Sequence, residues 1–128
     1  MANLLAEGKV VAHFDGAMEW GPRALGNRSL LVRPDDPRIN DWLNAQLDRT
    51  EFMPFAPIVS AEDAPNFFVG LDKAPEAARF MTVCFDCTPA FKEQAAGVVH
   101  VDGTARPQVP HRADNPRLYQ SQTGKAPG

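Results

Sequence analysis

No apolar run in this sequence approaches the roughly twenty residues that span a bilayer, so neither a membrane-crossing helix nor a membrane partner is expected. The opening MANLLAEGKV carries an acid and no long apolar stretch, which speaks against a secretory signal and makes the cytoplasm the default compartment. A positive surplus is missing as well. The formal charge is −3 and the isoelectric point about 5.5, whereas a nucleic-acid binder normally shows a basic footprint. Cysteine is confined to Cys84 and Cys87 in CFDC, two ligands short of a structural zinc set and inside a strand-like stretch rather than at a helix start. Both are expected to be buried thiols of a reducing compartment, on opposite faces of one strand. The chain has no serine–histidine–acid arrangement, Walker loop or dinucleotide fingerprint, and neither internal repeats nor low-complexity segments.

What remains is 128 residues of ordinary globular composition, 44% hydrophobic and 23% charged, enough for one domain or part of one. Of the 13 basic residues nine are arginine, whose planar fork suits carboxylate and phosphate better than lysine's point charge. An acidic chain with arginines near turns points to a small anion held locally. Surface arginines paired with the 16 acids are the plain alternative.

Glycine and proline punctuate the elements. KVVAHFDG (9–16) reads as a strand ending in an Asp15-Gly16 turn, and SLLV (29–32) as a second strand. DDPRINDWLNAQL reads as a helix with Asp36 as N-cap and Pro37 first, its apolar face carrying Ile39, Trp42, Leu43 and Leu47. MPFAPIV (53–59) is too rich in proline for a central strand and reads as edge or extended chain. Ser60 and Asp63 form a short capping pattern, VGLDKAPEAA reads as loop, and RFMTVCFDC (79–87) as the best strand. Thr88 should cap a helix that stops at Gly97. VVHVDGTARPQV should form a hairpin about Asp102-Gly103, and Asn115 should cap a last helix that stops at Gly124. With no strict strand–helix–strand repeat, the expected class is α/β or α+β, helices against a mixed sheet. The chain then ends in KAPG, where sequences of this class usually turn into another strand, so a cut end is expected.

Two stretches carry candidate chemistry. In MEWGPRALGNRS, Gly21-Pro22 should turn into a short helical piece whose free N–H groups, beside Arg23 and Arg28, make an anion site, with Glu19 orienting an arginine. A corner braced by arginines on backbone carbonyls fits the same residues, and both readings stay open. HVDGTARP offers Asp102, Thr104 and Arg106 to a phosphate, or forms a plain hairpin turn with an exposed arginine. His100 and Asp102 lack further metal ligands, and His13 and His111 have no partner pattern.

GKVVAHFDGAMEWGPRALGNRSLL, RTEFMPFAP, FMTVCFDCT and HVDGTARPQ, in that order, resemble the C-terminal domain of NodU/CmcH-type carbamoyltransferases, from about Leu4 to Gly124. The resemblance implies a YrdC-like twisted mixed sheet with short flanking helices. It implies a domain that binds carbamoyl phosphate and ATP and forms a carbamoyl-adenylate, destined for a hydroxyl of a small-molecule acceptor. The acceptor site and the metal would belong to the family's N-terminal actin-like domain, which is the expected partner; no metal is expected in this chain. The substrate-binding residues it points to are Arg23, Arg28 and Ser29 in GPRALGNRS, Arg49 in RTEFMPFAP, and Asp102 and Arg106 in HVDGTAR.

Two departures stand out. Many family members read KxRExFRPFAP where this chain has LDRTEFMPFAP, so Leu47 and Met53 occupy basic positions. Members also continue past TG with an apolar strand and an Asn-Thr-Ser-Phe-Asn segment that completes the nucleotide pocket. A chain without that strand is expected to be inactive alone and to expose either an open sheet edge or an apolar groove, which invites dimerisation. A degenerate, non-catalytic binding module is the alternative function. A relative making threonylcarbamoyl-adenylate for transfer RNA modification is a third reading, against which GPRALGNRS argues.

Overall fold

In the computed structural model, which describes residues 1–50 and 54–123, short elements surround two small sheets. Helix α1 (Ala2–Ala6) leads into strand β1 (Val11–Phe14), antiparallel to β2 (Arg28–Leu31), with Val11 opposite Leu31 and Phe14 opposite Arg28. GPRALGNRS is thus the connection inside a two-stranded sheet. Helix α2 (Ile39–Gln46), helix α3 (Ala64–Phe67), strand β3 (Phe68–Val69), helix α4 (Pro75–Ala78), strand β4 (Phe85–Cys87), helix α5 (Pro89–Gln94), strand β5 (Thr104–Ala105) and helix α6 (Pro116–Thr123) follow. The second sheet is antiparallel in the order β3-β4-β5, and a single parallel bridge joins Ile58 to Gln108. Short helices beside small antiparallel sheets make an α+β arrangement, within the expected class.

The second sheet carries the core. Phe68 lies 4.9 Å from Phe91 and 6.5 Å from Phe85, ring centre to ring centre, in tilted contacts. Val59, Ala78, Cys87, Val98, Ala105 and Val109 close around them. Each fully buried Phe contributes about 1.5–3 kcal/mol relative to exposure. Leu31, Leu43 and Leu118 are buried outside this cluster. Of the face expected on α2, only Leu43 is buried. Trp42 and Leu47 stay exposed.

Local cap chemistry is realised closely. Thr88 Oγ1 accepts the Phe91 N–H at 3.4 Å, Asn115 Oδ1 accepts the Leu118 N–H at 3.0 Å, and Ser60 Oγ accepts the Asp63 N–H at 3.3 Å. Asp36 is an exception: α2 begins at Ile39 after Arg38, so Asp36 is not its N-cap and Pro37 is not its first residue. The Asp36 carboxylate accepts the Arg38 N–H at 2.9 Å and grips the Arg38 guanidinium, which holds the carboxyl below its ordinary value. As expected from its prolines, 54–59 is extended, joined to the 108 region by Val59 N–H to Gln108 O at 3.0 Å. Met53, in the same stretch, lies outside the described residues, as does the Gly124 stop.

Three further expectations fail. VGLDKAPEAA is not plain loop: a 3₁₀ turn (Leu71–Lys73) precedes α4. RFMTVCFDC is a strand only over Phe85–Cys87, because Met81 turns at φ 56° and Thr82 Oγ1 donates to Ala77 O at 2.8 Å, ending α4. Cys84 is consequently exposed and only Cys87 buried. In VVHVDGTARPQV the turn at Gly103 forms, with φ 82° and His100 N–H to Thr104 O at 2.7 Å. The first half is nonetheless no strand, since Val98 ends a 3₁₀ turn (Ala96–Val98), and β5 takes β4 as its partner.

Candidate functional site

A cleft of about 940 Å³ opens between the β1–β2 connection, the end of α2, the Pro54–Val59 segment and the residue after β5. It brings together Arg23, Arg28, Ser29, Arg49 and Arg106 from the expected set, and leaves Asp102 outside. A cleft of this size accommodates a ligand of nucleotide dimensions.

Each arginine arrives by a different local device. Arg106 follows Ala105 in β5 and precedes Pro107, both buried, so its backbone is fixed on either side while its half-buried side chain lines the cleft. Arg49 is delivered by the C-terminus of α2. Asp48 takes the left-handed conformation at φ 50°, Asp48 N–H reaches Ala45 O at 3.4 Å, and Arg49 N–H reaches Asn44 O at 3.0 Å. This is a Schellman ending with Asp at the position glycine usually fills. The Arg49 guanidinium then lies 5.7 Å from the Phe55 ring centre. Nothing in the local sequence had marked that ending, because Asp at the left-handed position is the less usual choice. Ser29 stands on β2; its Oγ accepts the Gly26 N–H at 3.0 Å, which leaves the hydroxyl proton to donate elsewhere.

The MEWGPRALGNRS loop is both of the structures its residue types allowed, divided between its arginines. Arg28 is a brace. Its guanidinium donates to Asp15 O at 2.9 Å, Asn27 O at 3.0 Å and Gly16 O at 3.0 Å, and lies 3.7 Å over the Phe14 ring. A fork committed to three carbonyls and a ring face is first of all a brace at the cleft wall, and its expected role as an anion contact stays an expectation. Arg23 has no hydrogen-bond or ion-pair partner among the described residues and lines the cleft. It remains a candidate anion contact.

Two expectations about this loop give way. No helical turn forms after Pro22; residues 20–23 are bends. Glu19 orients no arginine. Its Oε1 accepts backbone N–H bonds from Leu25 at 2.8 Å, Asn27 at 2.6 Å and Arg28 at 3.3 Å. Burial pushes this carboxyl up, but its backbone N–H bonds, those three included, outweigh it and hold the group below its ordinary value. The carboxylate thus takes N–H groups beyond the Gly21-Pro22 start at which the anion was expected.

Other segments lock the same corner. Gln108 Nε2 donates to Leu25 O at 2.7 Å, His13 Nδ1 bonds Gly26 O, and Asn115 Nδ2 donates to Asn27 Oδ1 at 2.7 Å. Asp102, by contrast, works locally. Its Oδ1 accepts from the Thr104 backbone N–H at 3.0 Å and from Thr104 Oγ1 at 2.8 Å; these bonds hold the carboxyl low and shape the turn that leads to Arg106. His100 Nδ1 meets Thr104 Oγ1 at 3.2 Å. Among the described residues no group of three or more His, Cys, Asp or Glu is placed to hold a metal ion. No helix among them is long and apolar enough to cross a membrane.

Comparison with known proteins places the sequence in a family. The family model described as "Carbamoyltransferase C-terminus" matches residues 2–123. The nodulation protein NolO of Bradyrhizobium diazoefficiens is 39% identical over 122 residues, covering 92% of this chain and 22% of that protein. Nodulation protein U of Rhizobium tropici is 37% identical over 113 residues, covering 88% of this chain and 19% of that protein. The 3'-hydroxymethylcephem-O-carbamoyltransferase of Streptomyces clavuligerus is 36% identical over 122 residues, covering 94% and 22% respectively. The chain spans about a fifth of the length of these relatives. On the extent of these matches, the chain belongs to the carbamoyltransferase C-terminus family.

Proposed function

We propose that this chain is the part of a carbamoyltransferase that binds carbamoyl phosphate and ATP and forms a carbamoyl-adenylate, for transfer to a hydroxyl of a small-molecule acceptor. The observation that carries the reading is the convergence of Arg23, Ser29, Arg49 and Arg106, from three separate segments, on one cleft. Carbamoyl phosphate first loses inorganic phosphate to water, giving carbamate; a carbamate oxygen then joins the α-phosphorus of ATP while pyrophosphate leaves. The charge in that transition state is spread over phosphate oxygens, so fixed cationic forks and hydrogen-bond donors are what it needs, and no nucleophilic side chain is required. Arg106 and Arg23 would take phosphate oxygens, Ser29 would donate its hydroxyl, and Arg49 with Phe55 would form the wall beside them. The acceptor would bind on the remaining part of the parent protein, the N-terminal domain that is this chain's expected partner.

Titrating carbamoyl phosphate into the purified chain by calorimetry tests this. Saturable binding that Arg106→Ala abolishes is expected; no binding by the folded wild-type chain overturns it. A second reading, a binding module without catalysis, draws on Leu47 at the cleft wall, where the family pattern places lysine. It is separated from the first by the same titration, since a module of that kind has no reason to bind carbamoyl phosphate.

A further inference from the structure

The loop between Glu19 and Arg28 is held at both ends but not at its tip. At its base, Arg28 binds Asp15 O and Gly16 O, and Asn27 Nδ2 donates to Ala17 O at 2.8 Å. These bonds fix the entry and the exit. Residues 20–24 carry Arg23 and have neither a helical turn nor a strand to shape them. What closes them is a single side chain, Glu19, whose Oε1 takes the N–H of Leu25, immediately beyond the tip, together with those of Asn27 and Arg28. The far side of Leu25 is held by Gln108, whose Nε2 donates to Leu25 O and whose own backbone bridges to the cleft wall at Pro57–Val59.

We propose that Glu19 is a positioning residue: by gathering three backbone N–H groups it closes the 20–24 loop and sets Arg23 at the mouth of the cleft, at a fixed distance from Arg106. The inference rests on the reading of this cleft as a carbamoyl phosphate site. Glu19 touches no ligand in this role. It removes the freedom that an unrestrained five-residue tip would otherwise lose on binding, which is the general way preorganisation strengthens affinity. It also neutralises the inward-pointing N–H groups, so that the ligand's charge is met by side-chain cations at the cleft and is not drawn into the loop. The segment is therefore an internally satisfied anion nest whose product is the placement of an arginine.

The test is a double-mutant cycle read by carbamoyl phosphate calorimetry, with thermal melting of every variant. Glu19→Ala is expected to weaken binding on the order of tenfold. Arg23→Ala is expected to weaken it at least as much. If Glu19 acts through Arg23, the double variant binds no more weakly than Arg23→Ala alone; a loss from general destabilisation would instead add. Glu19→Gln, which keeps an oxygen to accept the same N–H groups, is expected to retain most of the affinity. Glu19→Asp, whose shorter side chain withdraws the carboxylate from the three N–H groups, is expected to weaken binding in the same way and takes the place of Glu19→Ala should that variant fail to fold. Additive losses, an unaffected Glu19→Ala, or a Glu19→Gln that folds but binds as poorly as Glu19→Ala overturns the proposal. Unaffected binding in both Arg23→Ala and Arg106→Ala overturns the reading of the site instead.

Discussion

Replacing Gly26 by alanine tests the most tightly packed point of the loop. Gly26 is at φ 114°, a conformation that an L side chain adopts only with strain, and an added Cβ would lie 2.5 Å from Leu118 Cδ2 and 3.2 Å from Leu118 Cγ. Leu118 is fully buried, so its side chain has no free direction in which to swing away. The backbone strain costs about 1–3 kcal/mol, and forcing an extra methyl into a packed site costs about 1–3 kcal/mol more. The sum, about 2–6 kcal/mol, is a large part of the ~5–15 kcal/mol that holds an ordinary domain together. At roughly 4 °C per kcal/mol for a chain of this size, melting should fall by about 8–24 °C. Gly21 is the internal control. It has φ 120° but nothing within 4 Å of an added Cβ, so Gly21→Ala should carry the strain alone. Urea titration of both variants measures the difference directly. Equal losses in the two would refute the packing of Gly26 against Leu118, and with it the account of α6 as a support for the loop.

Arg28→Lys should cost about 1–3 kcal/mol in the same titration despite keeping the charge, because an ammonium cannot serve three carbonyls and a ring face at once. A neutral result would mean that charge, not the fork, is what the corner needs. Native protein should give one reactive thiol, Cys84, with a second appearing only in denaturant, since burial pushes the Cys87 thiol up to about 11. The raised value also sets a pH dependence: Cys87 favours the folded state below its ordinary value of 9.0, and that contribution is lost as the pH rises towards about 11. Modification of both thiols in native protein at neutral pH would contradict the burial of Cys87.

How much of this was legible in the sequence depended on distance along the chain. Thr88, Asn115 and the Ser60–Asp63 pair were readable because each bonds a backbone group within three residues. The stretch from Arg79 to Val83 was not. Its β-like composition is overruled by a left-handed Met81 and by Arg79, which is drawn to Glu76 and to Asp114 at 2.6 Å each. The cleft was foreshadowed only through the family resemblance of GPRALGNRS, RTEFMPFAP and HVDGTAR. Residue types could not divide the labour between Arg23 and Arg28, since the acceptors of Arg28 are carbonyls whose direction a sequence does not encode. Glu19 was noticed for the right reason, a carboxylate among arginines. It was given the wrong partner because backbone N–H groups compete invisibly with side chains.

The contacts between α6 and the loop bear on the order in which the molecule is made. Asn115 meets Asn27, Arg117 meets Asp15 at 2.8 Å, and Leu118 fills the space against Gly26. A ribosome makes the loop before α6, and at ~5–20 residues per second the interval between them is on the order of ten seconds. Through that interval the β1–β2 strands can pair while their connection still lacks its outer support. Phe14, Met18 and Trp20, exposed even in the finished fold, are then accompanied by the apolar surface that Leu118 later covers. The arginine corner is thus translated before the helix that secures it, and a nascent chain halted before residue 115 should be the form most readily held by a chaperone.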